Sequence, residues 1–243
     1  MRKIKLQRYE QDTACCTVAA VSSVVNHMDK DLNYDLVKKC AEQYIQEDVG
    51  RNGLLTGQIC KLLNIVGFKK VTLIDSDLML FDYYWAKYSK KDMEMAIKES
   101  LSLKNRKDKE VNLREIYNWY RSRKYKNIIK IDYEFGKYIR KFIDKNVPVI
   151  ITFNWHMFFK YPKCTDGMEI DPFNGEYEYH AVAVNGYDSK GIWVVDSNIC
   201  FHKYSRKKYC TGFYRMNWEH LFVCMGQGEL IAAERYEKNN AII

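Results

Sequence analysis

The apolar positions of this chain follow two patterns, one in its first quarter and another in its last third. Between residues 13 and 66 they recur at every third and fourth position, which predicts amphipathic or buried helices. From residue 147 onward they form short continuous runs, which predict buried strands. The predicted helices cover 13–28, 34–46, 56–66, 92–103, 112–125 and 138–143, and the predicted strands cover 71–74, 147–153, 180–187, 191–196 and 228–233.

The order of these elements indicates the fold class. Helices come first and strands dominate the end of the chain, an order typical of α+β proteins. We therefore expect a single α+β domain over residues 1–243, with a helical part at 1–74, a basic helical insertion at 75–135 and an antiparallel sheet at 136–243. Thr13 is the predicted N-cap of the first helix, because its hydroxyl can accept a bond from a first-turn amide.

The composition is that of a packed globular protein. With 243 residues, of which 47% are hydrophobic and 14% aromatic, the chain can bury a core without covalent cross-links. No apolar run reaches the roughly 20 residues that span a bilayer, so we expect no membrane association. An export signal is the alternative, but Glu10 and Asp12 interrupt the basic and apolar parts that such a signal needs. We therefore predict a cytoplasmic protein.

The net charge of +8 favours solubility and leaves open an acidic partner. Lysine and arginine interleave with tyrosine and tryptophan over residues 87–130, a composition found in nucleic-acid and acidic-peptide surfaces. A solvated helical face explains the same composition, and we prefer that interpretation. No nucleic-acid-binding motif is present, so we do not expect nucleic acid as a partner.

Eight cysteines are present, two of them adjacent at Cys15 and Cys16, and no pair has the Cys-x-x-Cys spacing. This distribution suits a disulfide framework poorly, and we predict mostly reduced, buried thiols. A metal site is the alternative. Its donors would be Cys200, His202, Cys210, His220 and Cys224. Because their spacing matches no familiar zinc pattern, we predict neither a metal nor another cofactor.

The adjacent cysteines have chemical partners elsewhere in the chain. Cys15 and Cys16 lie at the predicted start of a helix, where the helix dipole favours a thiolate. His180, on a predicted strand, can take the thiol proton, and Asp196 at the end of the next strand can orient the imidazole. Gln11, five residues before Cys16, can donate an amide hydrogen bond to an oxyanion. These residue types predict nucleophilic catalysis at a carbonyl carbon.

The same residues carry a family resemblance. Gln11, then Cys16-Thr-Val-Ala-Ala, then His180-Ala-Val-Ala-Val-Asn-Gly-Tyr and Val194-Val-Asp196 resemble the bacteriocin-processing leader peptidases and their relatives among the papain-like cysteine peptidases. That family typically shows Gln, Asp-Cys-Gly-x-Ala, His-x-Val-x-Val-x-Gly-Tyr and then an Asp at the end of the next strand. The likeness covers most of residues 7–74 and 136–233 and leaves the middle segment uncovered.

The resemblance implies a papain-like fold, in which a helical N-terminal subdomain packs on an antiparallel sheet. It implies Cys16 as the nucleophile and His180 as the general base. Asp196 would orient the imidazole and Gln11 would donate to the oxyanion. Cofactors are not implied. The implied activity is thiol hydrolysis of a peptide, or of a related amide or thioester carbonyl, through an acyl-enzyme intermediate.

Several alternatives stay open. Cys15 is an alternative nucleophile, although Ala19-Ala20-Val21 fits the family pattern better when Cys16 is aligned with the catalytic cysteine. Trp155 and His156 follow a predicted buried strand and are expected to bind substrate along the cleft. The substrate would be a peptide or an acyl-carrier. The alternative functions are an acyltransferase or tailoring protein on the same fold, and a catalytically silent binding module that uses the basic insertion.

Overall fold

The computed structural model describes residues 1–11, 15–47, 49, 53–103, 107–165, 169–198, 211–226 and 228–235. Its helices are α1 (Cys16–Met28), α2 (Tyr34–Tyr44), α3 (Thr56–Ile65), α4 (Lys90–Ser102), α5 (Lys107–Tyr120), α6 (Phe135–Asp144), α7 (Trp155–Phe159) and α8 (Trp218–Cys224), with a 3₁₀ helix at Tyr83–Lys87. Its strands are β1 (Arg2–Lys3), β2 (Lys70–Asp75), β3 (Lys126–Ile131), β4 (Val149–Asn154), β5 (Tyr179–Asp188), β6 (Gly191–Val195), β7 (Phe213–Asn217) and β8 (Glu229–Glu234).

One sheet runs through the described part of the chain. Its strands follow the order β3-β2-β8-β4-β5-β6-β7, and β1 pairs with β5. All of these neighbours are antiparallel except β2 and β3, which are parallel. Helices α4 and α5 lie between β2 and β3 in the chain and form the crossover that a parallel pair requires. A mainly antiparallel sheet with packed helices agrees with the α+β prediction.

The predicted division of the chain needs one correction. Residues 75–135, predicted as a helical insertion, contain strand β3, and the helix predicted to continue to residue 125 ends at Tyr120. Strand β3 has only six residues. Its buried residues Asn127 and Ile129 lie between the exposed Lys126 and Lys130, so the sequence of the strand looks polar. Because β3 pairs with β2, and β2 also pairs with β8, a single sheet includes strands from all three predicted parts.

Helix α1 lies in the centre of the core. Ten consecutive residues, from Thr17 to Asn26, are buried, and the helix packs against β4, β5, α2 and α3. Each fully buried valine contributes about 1.5–3 kcal/mol to the stability of the fold relative to an exposed one, so packing stabilises this helix. Cys15, at the N-cap, makes no side-chain capping bond, and Thr13, the predicted N-cap, lies outside the described residues. In the described residues no helix, α1 included, has the length and apolarity to cross a membrane.

A glycine of the family-like motif is explained by close packing of the backbone. Strand β1 lies against β5, with Lys3 opposite Gly186. A side chain at position 186 would place its Cβ 2.6 Å from the carbonyl oxygen of Arg2. Only glycine therefore allows β1 to pair with this part of β5, which fixes the N-terminal segment across the sheet.

Candidate active site

A buried ion pair lies where β5 begins and β6 ends. Nε2 of His180 is 2.7 Å from Oδ1 of Asp196, and the two side chains are 2% and 0% exposed. Asp196 accepts two further bonds: the Tyr214 hydroxyl donates to Oδ2 at 2.8 Å, and the Asn198 amide donates to Oδ1 at 2.9 Å. Burial raises the pKa of Asp196, but the charge of His180 and these hydrogen bonds outweigh it, and the pKa lies below its usual value.

The thiol of Cys16 is the second partner of His180. It is hydrogen-bonded to the His180 side chain and to the backbone of Ala181. Burial raises the pKa of Cys16, but the hydrogen bond from His180, its positive charge and the Ala181 backbone lower it further, and the net pKa is below the usual thiol value. The site therefore favours a thiolate.

The imidazole shows the opposite shift. Burial lowers the pKa of His180, but the charge and hydrogen bond of Asp196, together with Cys16, raise it to about 10. A raised imidazole pKa and a lowered thiol pKa describe the same state, an imidazolium beside a thiolate. This state is the one in which a sulfur atom can attack a carbonyl carbon near neutral pH.

The two adjacent cysteines have different environments. Cys16 is the first residue of α1 and is partly exposed, and no acidic residue lies in the first turn to oppose the helix dipole. Cys15 is fully buried, and its Sγ contacts the carbonyl oxygen of Val49 at 3.7 Å. The structure therefore brings Cys16 to His180.

Gln11 lies beside the end of the strand that carries Asp196. Its backbone amide donates to the carbonyl of Ser197 at 3.3 Å, and its Oε1 accepts from the Ser197 hydroxyl at 2.8 Å. Arg8 holds the same segment, since its Nε donates to the carbonyl of Asp196 at 2.6 Å. The N-terminal segment is thus tied directly to the His180–Asp196 pair.

Trp155 and His156 lie in the interior. Each is 1% exposed, and their rings are 3.8 Å apart between centroids. Nδ1 of His156 is 2.7 Å from the carbonyl oxygen of Pro162. The ring of Phe153, on the preceding strand β4, contacts the ring of His180 at 6.0 Å between centroids. Substrate binding by Trp155 and His156 stays a prediction.

A further carboxyl group, partly exposed, lies at the same end of the sheet. Glu229 begins β8, and its Oε1 accepts from the Thr56 hydroxyl at 2.8 Å. Burial raises the pKa of Glu229, hydrogen bonds from Thr152 and Thr56 oppose this, and Asp77 adds to the rise. Since β8 is separated from β5 only by β4, this group is about 10 Å across the sheet from the strand of His180.

Three side chains that organise the site were not singled out by sequence analysis: Arg8, Ser197 and Tyr214. Ser197 is the one with a usable signal, because it directly follows Asp196. Tyr214 is one of 19 tyrosines and Arg8 is one of 39 basic residues, so composition does not distinguish them.

Only two of the five donors of the metal alternative, His220 and Cys224, lie in the described residues. No group of three or more His, Cys, Asp or Glu side chains in that part of the chain is placed to hold a metal ion. Cys200, His202 and Cys210 lie outside the described residues. His220 and Cys224 belong to α8, where the His220 ring contacts Phe158 at 6.1 Å between centroids.

Comparison with known protein families places the chain. Residues 75–222, more than half of its length, match the model of the Peptidase_C39 like family. The chain belongs to this family. The match confirms the predicted resemblance, and membership supports a cysteine peptidase-type hydrolase. No curated protein and no solved structure matches the chain significantly.

The extent of the match differs from the likeness seen in the sequence. In this Peptidase_C39-like chain the match includes the middle segment, 75–135, which the motif-based likeness left uncovered. It contains His180 and Asp196, whereas Gln11 and Cys16 precede it. The link between Cys16 and the His180–Asp196 pair therefore comes from the geometry of the folded chain.

Proposed function

We propose that this Peptidase_C39-like protein is a thiol hydrolase that acts on a peptide, or on a related amide or thioester, through a Cys16–His180–Asp196 triad. The observation that carries the proposal is the continuous series of hydrogen bonds from Cys16 through His180 to Asp196. A papain-like arrangement belongs to the same proposal, since the cysteine begins a helix that packs on the strand bearing the histidine.

The first step is acylation of the enzyme. The Cys16 thiolate attacks the carbonyl carbon, a C–S bond forms, and the carbonyl π electrons move to the oxygen. The backbone N–H of Cys16, one of the unsatisfied donors at the helix start, stabilises the oxyanion together with Nε2 of Gln11. Ser197 supports this role by engaging the oxygen of the same side-chain amide.

The intermediate then collapses. The carbonyl re-forms, the bond to the leaving amine or thiol breaks, and the His180 imidazolium protonates the leaving group. In the second half-reaction the neutral imidazole removes a proton from water, the hydroxide attacks the thioester, and the acid product leaves as the Cys16 thiolate re-forms. Asp196, held by Tyr214, keeps the imidazole oriented for both transfers.

Hydrolysis and acyl transfer share the first half-reaction and differ in the acceptor. A hydrolase delivers the acyl group to water, whereas an acyltransferase delivers it to an amine. His180 and Asp196 are almost wholly buried, so the acceptor must approach from the partly exposed side of Cys16. The experiment must therefore determine whether the acyl group is transferred to water or to an amine.

The test uses a set of peptidyl and fatty-acyl thioesters, with glycinamide as an added amine. We expect an acyl adduct on Cys16 by peptide mass mapping, and release of the acid at a rate that glycinamide does not change. Cys15→Ala should form the same adduct, and Cys16→Ala should form none. Product found mainly on glycinamide would overturn hydrolysis in favour of transfer. Equal adduct formation by Cys16→Ala would overturn the triad.

A further inference from the structure

We call the end of the sheet that carries His180 and Asp196 the catalytic edge. A cleft of about 630 Å³ lies at the opposite end of the sheet, where β2 and β3 begin. These parallel strands begin beside the cleft at Lys70 and Lys126 and run toward the edge that carries His180. Strand β3 has six residues, which at about 3.3 Å each extend about 20 Å, and it lies four strand spacings of about 4.8 Å from β5. This places the cleft at least about 20 Å from His180. The cleft is therefore separate from the proposed catalytic site.

The lining of this cleft is strongly basic. Five cations line it and no acidic side chain does: Lys69, Lys90, Arg123, Lys124 and Lys126. Arg123 is paired with Glu94 at 2.8 Å, but none of the four lysines makes an ion pair with a described residue. Burial lowers the pKa of Lys90, Glu94 opposes this, and the charge of Arg123 adds to the lowering. We call this site the lysine cleft.

Aromatic rings separate the cations of the lysine cleft. The ammonium groups of Lys69 and Lys124 each lie 5.4 Å from the centroid of the same ring, that of Tyr125. Lys90 lies 5.0 Å from the ring of Tyr120. The ammonium groups of Lys69 and Lys124 therefore lie within about 11 Å of each other, the sum of their two distances to the Tyr125 ring.

We propose that the lysine cleft binds a small phosphorylated ligand with a planar ring, the chemistry of a mononucleotide. The phosphate would contact Lys69 and Lys124, and the ring would lie against the tyrosine and isoleucine side chains. The volume falls within the roughly 300–1,000 Å³ of small-molecule sites. This proposal is independent of the triad.

The test is calorimetric titration of the full chain, as Cys16→Ala, with AMP, GMP, CMP and UMP. We expect at least one of them to bind at least about 10-fold more tightly than inorganic phosphate and than its own nucleoside, because phosphate and ring each contribute. The double variant Lys69→Ala/Lys124→Ala should weaken that binding by at least about 10-fold. Both lysines are exposed, so their removal should not affect folding.

The matched control is Lys130→Ala, an exposed lysine on β3 that does not line the cleft. It should bind like the parent chain. Equal loss in this control, or no loss in the double variant, would overturn the site. Phosphate binding as tight as the nucleotide would overturn the ring contact. Displacement of the nucleotide by polyglutamate at lower charge concentration would overturn the small-ligand assignment in favour of an acidic protein partner.

Discussion

Charged side chains at the two ends of the sheet differ in burial and in pairing. At the catalytic edge, His180 and Asp196 contact each other at 2.7 Å in the interior, and Cys16 contacts the same imidazole. In the lysine cleft, four lysines lie close together at or near the surface, and no described carboxylate pairs with them. Buried charges persist only when they are paired, whereas water can solvate exposed ones.

This difference separates chemistry from recognition. A charge that is already paired and buried is fixed in position, which suits a reaction that needs a thiolate and an imidazolium at defined atoms. A charge without a partner gains most when a ligand of opposite sign arrives. The same sheet can therefore carry a reactive centre at one edge and a binding cleft at the other.

The strongest test of the catalytic edge separates the adjacent cysteines. Cys16→Ala should reduce acyl-thioester turnover by at least about 10³-fold, because the attacking atom is removed. Cys15→Ala should stay within a few-fold of wild type, since Cys15 is buried against Val49. Steady-state rates measured at matched folded fractions check this pair. Loss of turnover in Cys15→Ala alone would reverse the assignment.

Asp196→Asn tests the buried pair. The substitution removes the charge that raises the pKa of His180 to about 10, so this pKa should fall toward the usual imidazole range. The alkaline limb of the pH–rate profile should move to lower pH, and turnover at neutral pH should drop at least about 10-fold. An unchanged alkaline limb would mean that this limb reports the titration of a group other than His180.

Salt should distinguish the two ends of the sheet. Raising the ionic strength from about 0.05 to about 0.5 M shortens the Debye length to a few ångströms and screens exposed charges. Nucleotide binding in the lysine cleft should weaken by about 10-fold, while the alkylation rate of Cys16 should change less than about 2-fold. Equal sensitivity at both ends would contradict the contrast between buried and exposed charge.

The smallest effect is expected for Tyr214→Phe. This variant removes one of the hydrogen bonds to Asp196, which lower the pKa of that carboxyl group. We expect the Asp196 pKa to rise, unfolding to become about 1–3 kcal/mol easier, and turnover to fall only a few-fold. Urea denaturation and turnover are measured on the same preparation. A loss as large as that of Asp196→Asn would assign the tyrosine a direct role.

The sequence was informative where function depends on local pattern. The apolar run after Cys16 predicts α1, and the short apolar run after His180 predicts β5. It was less informative where partners are distant in the chain: the Arg8 bond to Asp196 joins residues 188 positions apart. No local pattern encodes such a contact.

Strand β3 was missed for a different reason. Its exposed lysines at 126 and 130 give it the composition of the basic segment around it. The basic and aromatic character of residues 87–130 is visible in the sequence, but Lys69 joins them only because β2 pairs with β3. The preferred interpretation of that segment, a solvated helical face, therefore did not predict the cleft.

The most direct test of the central claim is the pH dependence of Cys16 alkylation by iodoacetamide, followed by mass mapping with Cys40 as an internal reference. The account predicts that Cys16 reacts with a midpoint below the usual thiol value of about 8.5, and that His180→Ala moves this midpoint upward. The thiolate is favoured above the lowered midpoint, and its imidazolium partner is lost as the pH passes about 10. A midpoint at or above the usual value in the wild type, unchanged by His180→Ala, would contradict the account.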